Sequence, residues 1–228
     1  MIRGISGCEP GKSKKTNVLV FQPGEIWSSD GETPFRFETS FEVAVTPSAG
    51  DHFLYLISNE IEYYLIDSQS KFSGGVVCPP GFSVQRKLPF GFVWNSAWDG
   101  IPAFHLAHWP SPLITFTDSE ASGLWSPLIA GHATTWTDLD LSPWVPDDAR
   151  FVYLSTRTIY NGASSSTYLR SHSGQITGKR VGSVSALSAY DSNRVGIRIT
   201  SDRKIQYRSL GGAGLDLFVE GYAMTEPA

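Results

Sequence analysis

The sequence predicts an all-β protein, and three observations carry that expectation. The 228 residues include 22 glycines and 14 prolines, so turns are frequent. Charged residues make up 18% and aromatic residues 13%, a balance that suits short half-buried strands better than polar-faced helices. Apolar residues alternate with polar ones over many short stretches, and no 3.6-residue period runs beyond a turn or two. The expected architecture is two β-sandwich (jelly-roll-like) modules, at 35–122 and 123–228, preceded by an extended N-terminal arm at 1–34. A chain of this length can bury a substantial core.

The arm contains one apolar run, Val18 to Phe21, among Gly, Pro, Ser and Lys. With so little to bury, it is expected to make more contact with neighbouring subunits than with its own fold. From Phe35 strand signals dominate. PFRFETSFEVAV alternates, placing Phe35, Phe37 and Thr39, then Phe41, Val43 and Val45, on one face. FLYLISNEIEYYLID reads as two strands around a hairpin turn at Ser58-Asn59. VVCPPGFSV turns at Pro79-Pro80-Gly81. FGFVWNSAWDGIPAFHL gives a strand, a loop through Asp99-Gly100 and a second strand, and HWPSPLITFT closes the module.

The second module opens in TTWTDLDLSPWVPDDARFVYLST, residues 134–156. On a strand, Thr137, Leu139 and Leu141 share one face and Trp136, Asp138 and Asp140 the other. The leucine face gains from burial, so the aspartates point to solvent. Pro143 and Pro146 bracket a corner that holds Asp147 and Asp148 as turn residues. Phe151 to Leu154 is apolar on both faces, as in a strand between packed layers. A polar loop, the strand YLRSH, the stretch VGSVSALSAY, a hairpin VGIRITSDRKIQYRSL and a last strand LDLFVEGYA follow. Phe53–Leu56 and Phe151–Leu154 lie 98 residues apart, and Ile114–Phe116 and Leu215–Leu217 lie 101 apart, spacing that suggests modules of similar length.

Composition and motifs exclude several functions. A formal charge of −4 argues against general nucleic-acid binding. Residues 1–122 carry eight basic and thirteen acidic groups (−5), and residues 123–228 carry ten and nine (+1). Cys8 and Cys78 form neither a disulfide framework nor a metal knuckle. Ile5-Ser6-Gly7-Cys8 matches the end of a lipoprotein cleavage site, but the seven residues before Cys8 lack an apolar region of roughly 7–15 residues. No run approaches the ~20 apolar residues of a membrane span. The expectation is a chain made in the cytoplasm with reduced thiols, without nucleic-acid partner or membrane insertion.

No catalytic residue, cofactor or metal is expected. Asp138, Asp140 and Asp147 lack the spacing and glycine of an EF-hand loop. Glu60 and Glu62, two apart on one strand face, match a glycosidase pair in spacing alone and read as solvated. His105 and His108, three apart on a strand, point to opposite faces. There is no G-x-S-x-G and no phosphate-binding glycine loop. Two sets of residues remain as candidates for binding. Trp94, Trp98 and Trp109 are a candidate glycan or partner contact. Arg194, Arg198 and Arg208 on the predicted hairpin, with Arg203 and Lys204 at its turn, are a candidate interface. Like charges on one ribbon repel, and an acidic partner such as residues 1–122 of a neighbouring copy would relieve them.

FGFVWNSAWDGIPAFHLAHWPSPLITFT, then TTWTDLDLSPWVPDDARFVYLS, and finally GIRITSDRKIQYRSLGGAGLDLFVEGY resemble virion structural proteins of tailed bacteriophages: tail, baseplate or head-decorating proteins. The resemblance covers roughly residues 85 to 225. It implies a non-enzymatic structural protein, a tail or baseplate component involved in host attachment, with capsid decoration (cement) as the alternative. A stand-alone carbohydrate-binding module, with Trp94, Trp98 or Trp109 as its sugar platform, is the competing class; a β-sandwich glycan hydrolase is the third. The implied partners are further copies of the chain, with a trimer among the forms considered, other virion proteins, and a host-surface glycan or receptor. The implied location is the virion, assembled in the bacterial cytoplasm.

Overall fold

The computed structural model describes residues 5–7, 10–12, 17–94, 104–107, 113–116, 126–159, 165–171, 178–184 and 190–224. It is all-β. Among the described residues, a single 3-10 turn at Ser73–Gly75 interrupts nineteen strands, and no helix is long and apolar enough to cross a membrane. The chain divides into two compact units, Met1–Ile114 and Thr115–Ala228.

The first unit contains β1 (Ile5–Gly7), β2 (Pro10–Lys12), β3 (Val18–Phe21), β4 (Gly24–Trp27), β5 (Pro34–Phe37), β6 (Phe41–Ala44), β7 (Gly50–Ser58), β8 (Tyr63–Ser68), β9 (Ser83–Trp94) and β10 (Phe104–Ala107). Three three-stranded antiparallel sheets result: β1-β4-β5, β2-β3-β6 and β8-β7-β9. The expected N-terminal arm is therefore corrected. Its described strands pair with β5 and β6, and Leu19, Phe21 and Ile26 are 0% exposed. Four apolar letters look like little to bury, but alternation sinks Leu19 and Phe21 on one face, where Phe21 stacks on Phe41 at 5.3 Å between centroids. PFRFETSFEVAV is likewise two strands, β5 and β6, in different sheets. Tyr63 joins β5 to β8 by edge contacts with Phe35 and Phe37, both at 5.2 Å, and a hydroxyl bond to the Arg36 carbonyl.

In the middle strand β7, Phe53 through Ile57 are buried on both faces. Phe53, Tyr55 and Ile57 pack under Val76, Cys78 and Phe82 of the β8–β9 connection. Tyr55 ties that strap down by donating to the Ser70 carbonyl at 2.7 Å. The expected turn at Pro79 is present: Phe82 N donates to Pro79 O at 3.0 Å, and Gly81 takes a left-handed φ of 83° that favours glycine. Between β7 and β8, the Asn59 side chain accepts from the amides of Ile61 and Glu62, both at 2.7 Å. Glu60 and Glu62 thus sit exposed in a turn and not on a strand face.

The second unit contains β11 (Leu113–Phe116), which spans the boundary, β12 (Leu128–Gly131), β13 (Thr137–Asp140), β14 (Phe151–Ile159), β15 (Ser165–Ser171), β16 (Lys179–Val184), β17 (Tyr190–Arg198), β18 (Lys204–Leu210) and β19 (Gly214–Ala223). One sheet is built on β19-β14-β17, with β11 and β12 also pairing β19; the other runs β13-β18-β15-β16. The two pack as a β-sandwich. Val152, Leu154, Val195, Ile197, Leu215, Leu217 and Val219 of the first sheet and Leu169, Ile205 and Tyr207 of the second are buried. Buried hydroxyls bridge the sheets: Thr158 of β14 and Thr167 of β15 share a 2.5 Å bond, and Thr156 Oγ1 donates to the Val181 carbonyl at 3.3 Å. Paired in this way, they avoid the cost of unsatisfied polar groups in the core.

The expected hairpin at 195–210 is the second correction. β17 pairs with β14, whereas β18 pairs with β13 and β15 in the other sheet. A turn from Thr200 to Arg203, with Arg203 at a φ of 55°, carries the chain across the sandwich. Alternation does mark the buried set: Val195, Ile197, Ile199, Ile205 and Tyr207 are all buried. It reveals which face is apolar, however, and not which strand lies alongside.

Candidate binding face

The polar face of the four-stranded sheet is built by strict alternation. In β15, Ser165, Thr167, Leu169 and Ser171 point inward, leaving Ser166, Tyr168 and Arg170 outward. In β18, Ile205, Tyr207 and Ser209 point inward, leaving Lys204, Gln206 and Arg208 outward. On β13, Asp138 and Asp140 are exposed above the half-buried Leu139, as the sequence predicts. Register then sets neighbours: Asp138 beside Gln206 beside Arg170, and Arg208 beside Tyr168 beside Arg180.

These side chains form a lattice. The Trp136 ring carries the Arg170 guanidinium at 4.2 Å and that of Arg208 at 4.9 Å; Arg208 also lies 5.2 Å from the Tyr168 ring. Rings and guanidinium planes attract through the ring quadrupole, by about 0.5–2 kcal/mol per pair. Arg170 Nε donates to Gln206 Oε1 at 2.7 Å, and Gln206 Nε2 donates to Asp138 Oδ1 at 2.6 Å, so a polar relay spans three strands. Arg208 Nε is buried and has no hydrogen-bond partner among the described residues, with the Trp136 and Tyr168 rings beside its guanidinium. Gly178 admits the indole: a Cβ there would collide with the Trp136 ring and stand 3.0 Å from the Leu169 carbonyl. Chemically, the arrangement holds two guanidiniums in fixed planes and suits binding.

The predicted basic cluster is redistributed. Arg194 and Arg198 lie on the outer face of the β14 sheet, where Arg194 pairs with Glu220 at 2.9 Å. Lys204 and Arg208 lie on the β18 sheet, and Arg203 at the crossing donates to the Val145 carbonyl at 3.2 Å. Sheets of a sandwich stand ~10 Å apart and their outer faces farther, so the five cations do not share one ribbon. Of the tryptophans, Trp94 ends β9 with only 8% exposure, its ring 6.3 Å from His52, and is no sugar platform. Trp98, Trp109 and His108, and the side chain of His105, lie outside the described residues. The sequence pattern sets Trp136 on the polar face but does not mark it as a site residue, because the guanidiniums that frame it come from strands far away in sequence.

Asp140 is engaged locally, accepting from the amide (2.8 Å) and hydroxyl (3.0 Å) of Ser142. Among the described residues, no three His, Cys, Asp or Glu side chains are grouped to hold a metal ion. Comparison with protein-family models and with curated protein sequences gives no match.

Proposed function

We propose that this chain is a non-enzymatic structural protein of a tailed-phage virion, a tail or baseplate component that takes part in host attachment. The phage assignment rests on the resemblance of residues 85–225. The observation that carries a binding role is the outer lattice of Trp136, Tyr168, Arg170 and Arg208. Trp, Tyr and Arg are the side chains enriched where proteins make energetic contacts, and here they occupy the solvent side of a sheet. Capsid decoration is the alternative location for the same part.

Immunogold labelling of virions from lysates of the strain that encodes the chain tests the reading. Label at the tail tip or baseplate is the expected result. Label over the head replaces attachment with decoration. Absence from particles, with the purified chain binding glycan as a monomer, overturns the virion role in favour of a carbohydrate-binding module.

A further inference from the structure

Charge on the outer face of the four-stranded sheet is sorted by row. Among the described residues, the face carries Arg170, Arg180, Lys204 and Arg208 against Asp138 and Asp140. Both acids stand on β13, where Asp138 accepts from Gln206 and Asp140 lies across from Lys204. The row beyond them has no acid. It runs Trp136, Arg208, Tyr168, Arg180, crossing the sheet from the β13 side to β16. Arg208 Nε has no partner among the described residues, and Arg180 is exposed. Rings and guanidiniums therefore alternate along a line at right angles to the strands.

We infer that this row binds a linear polysaccharide that bears carboxylates on alternate sugars. Strand spacing selects the ligand. Neighbouring strands lie ~4.8 Å apart, so the backbones that carry Arg208 and Arg180, two strands apart, stand ~9.6 Å from one another. A pyranose with its glycosidic linkage covers about one such spacing, and acids on every second sugar therefore fall over the two arginines. An extended acidic peptide repeats its same-side groups every ~6.7 Å, out of step with the row. Nor can a peptide add itself as a strand here, because β18 and β15 are already paired on both sides. This ligand class rests on reading the lattice as a binding face, whether or not the chain belongs to a virion.

The chemistry fits a carboxylate. A guanidinium offers N–H donors in a rigid fork that matches a carboxylate, and it stacks on aromatic faces at the same time. The Trp136 ring at 4.9 Å and the Tyr168 ring at 5.2 Å flank the Arg208 guanidinium. With Nε buried, its terminal nitrogens are the ones left to bind. A side chain already held in place loses less freedom when the ligand arrives. Tyr168 stands between the two arginines, under the sugar that carries no acid, and is half-buried. It offers that sugar an apolar ring and a hydroxyl. Exposed charges make the contact weaker at high salt.

Calorimetric titration of the full chain with hyaluronan oligosaccharides, whose carboxylates stand on alternate sugars, tests this. Binding is expected, and it is expected to weaken at least about tenfold with Arg180→Gln or Arg208→Gln. Arg36→Gln removes the same charge from the first unit and is expected to leave binding unchanged. Hyaluronan with its carboxyl groups reduced to alcohols is expected not to bind. No binding by the wild type, binding that survives carboxyl reduction, or binding indifferent to both arginine variants overturns the inference. Tighter binding of polyglutamate at equal carboxylate concentration overturns it in favour of an acidic protein segment. Arg180 is exposed on the edge strand β16, so its variant keeps the test open where Arg208→Gln fails to fold. The result is separable from that of immunogold labelling. Label on the tail without hyaluronan binding removes only the ligand class, and binding without label removes only the virion role.

Discussion

His52 shows how one buried side chain couples local geometry to solution conditions. It is 0% exposed on β7, and its carboxylate partner Asp67 on β8 is 3% exposed. Nδ1 lies 2.9 and 3.0 Å from the two Asp67 oxygens, and Nε2 lies 2.8 Å from the Ser48 carbonyl. A carboxylate and a carbonyl only accept, so both ring nitrogens carry protons and the ring is an imidazolium. Asp67 also accepts from the Thr46 amide at 3.0 Å, so the pair fastens the β6–β7 connection. Burial alone favours the neutral ring; the hydrogen bonds to Asp67 and Ser48, with the charges of Asp67 and Asp51, outweigh it and raise the pKa. With the folded pKa above the unfolded value of ~6.5, the contribution to stability is complete below that pH and is lost as pH rises through the folded value. The melting temperature should therefore fall as pH climbs above ~6.5. His52→Phe strands the buried carboxylate, costs about 3–5 kcal/mol and removes this slope. Thermal melts of both proteins across that window check it; a wild-type slope that survives the substitution would refute the assignment. No sequence signal marks the pair, because His52 and Asp67 are brought together only by the register of β7 on β8.

At the scale of elements, the N-terminal strands change the expected result of truncation. Removing residues 1–34 takes away the partners of β5 and β6 and the buried Leu19, Phe21 and Ile26. Each such side chain is worth ~1.5–3 kcal/mol, so the three together rival the ~5–15 kcal/mol of a whole domain. Ser29, just after β4, donates from its amide to Gln85 O at 3.0 Å, and Arg86 Nη1 donates to Trp27 O at 3.0 Å, so β9 loses anchors too. The truncated chain should lose cooperative unfolding of the first unit, read by near-ultraviolet circular dichroism. A native-like spectrum would return 1–34 to the status of an arm. Face assignment was legible wherever alternation was strict: Asp138 and Asp140 outward, Leu141 fully buried, Val195 through Ile199 alternating. Pairing was not, because β17 and β18 satisfy the same pattern in separate sheets, and a three-residue strand such as β1 has too few letters to show a period. The lattice was half legible, since Trp136 was placed on its face while Arg170 and Arg208 reach it only through the order β13-β18-β15.

For the whole molecule, each of the two compact units holds a buried charged group whose loss reports on that unit. In the first it is the His52–Asp67 pair. In the second it is Asp216 of β19, 1% exposed, which accepts from Arg157 Nε at 2.8 Å, Arg157 Nη2 at 2.5 Å and the Ala130 amide at 2.7 Å. Those bonds tie β14 and the β12 segment to β19, and they hold Ala130 at a φ of 50°, a left-handed conformation that costs alanine energy. Asp216→Asn keeps the shape but turns one acceptor into a donor that faces donors, a loss of about 1.5–3 kcal/mol. The similar spacing of the two halves does not extend to equivalent cores. β7 and β14 are each flanked by a paired strand on both sides, but β11 and β19, the second matching pair, lie side by side in one sheet. A chain divided into two compact units is expected to melt in two steps. Calorimetry of the wild type should resolve two transitions, with His52→Phe lowering only one and Asp216→Asn only the other. A single transition lowered by both variants would mean that the two units unfold together.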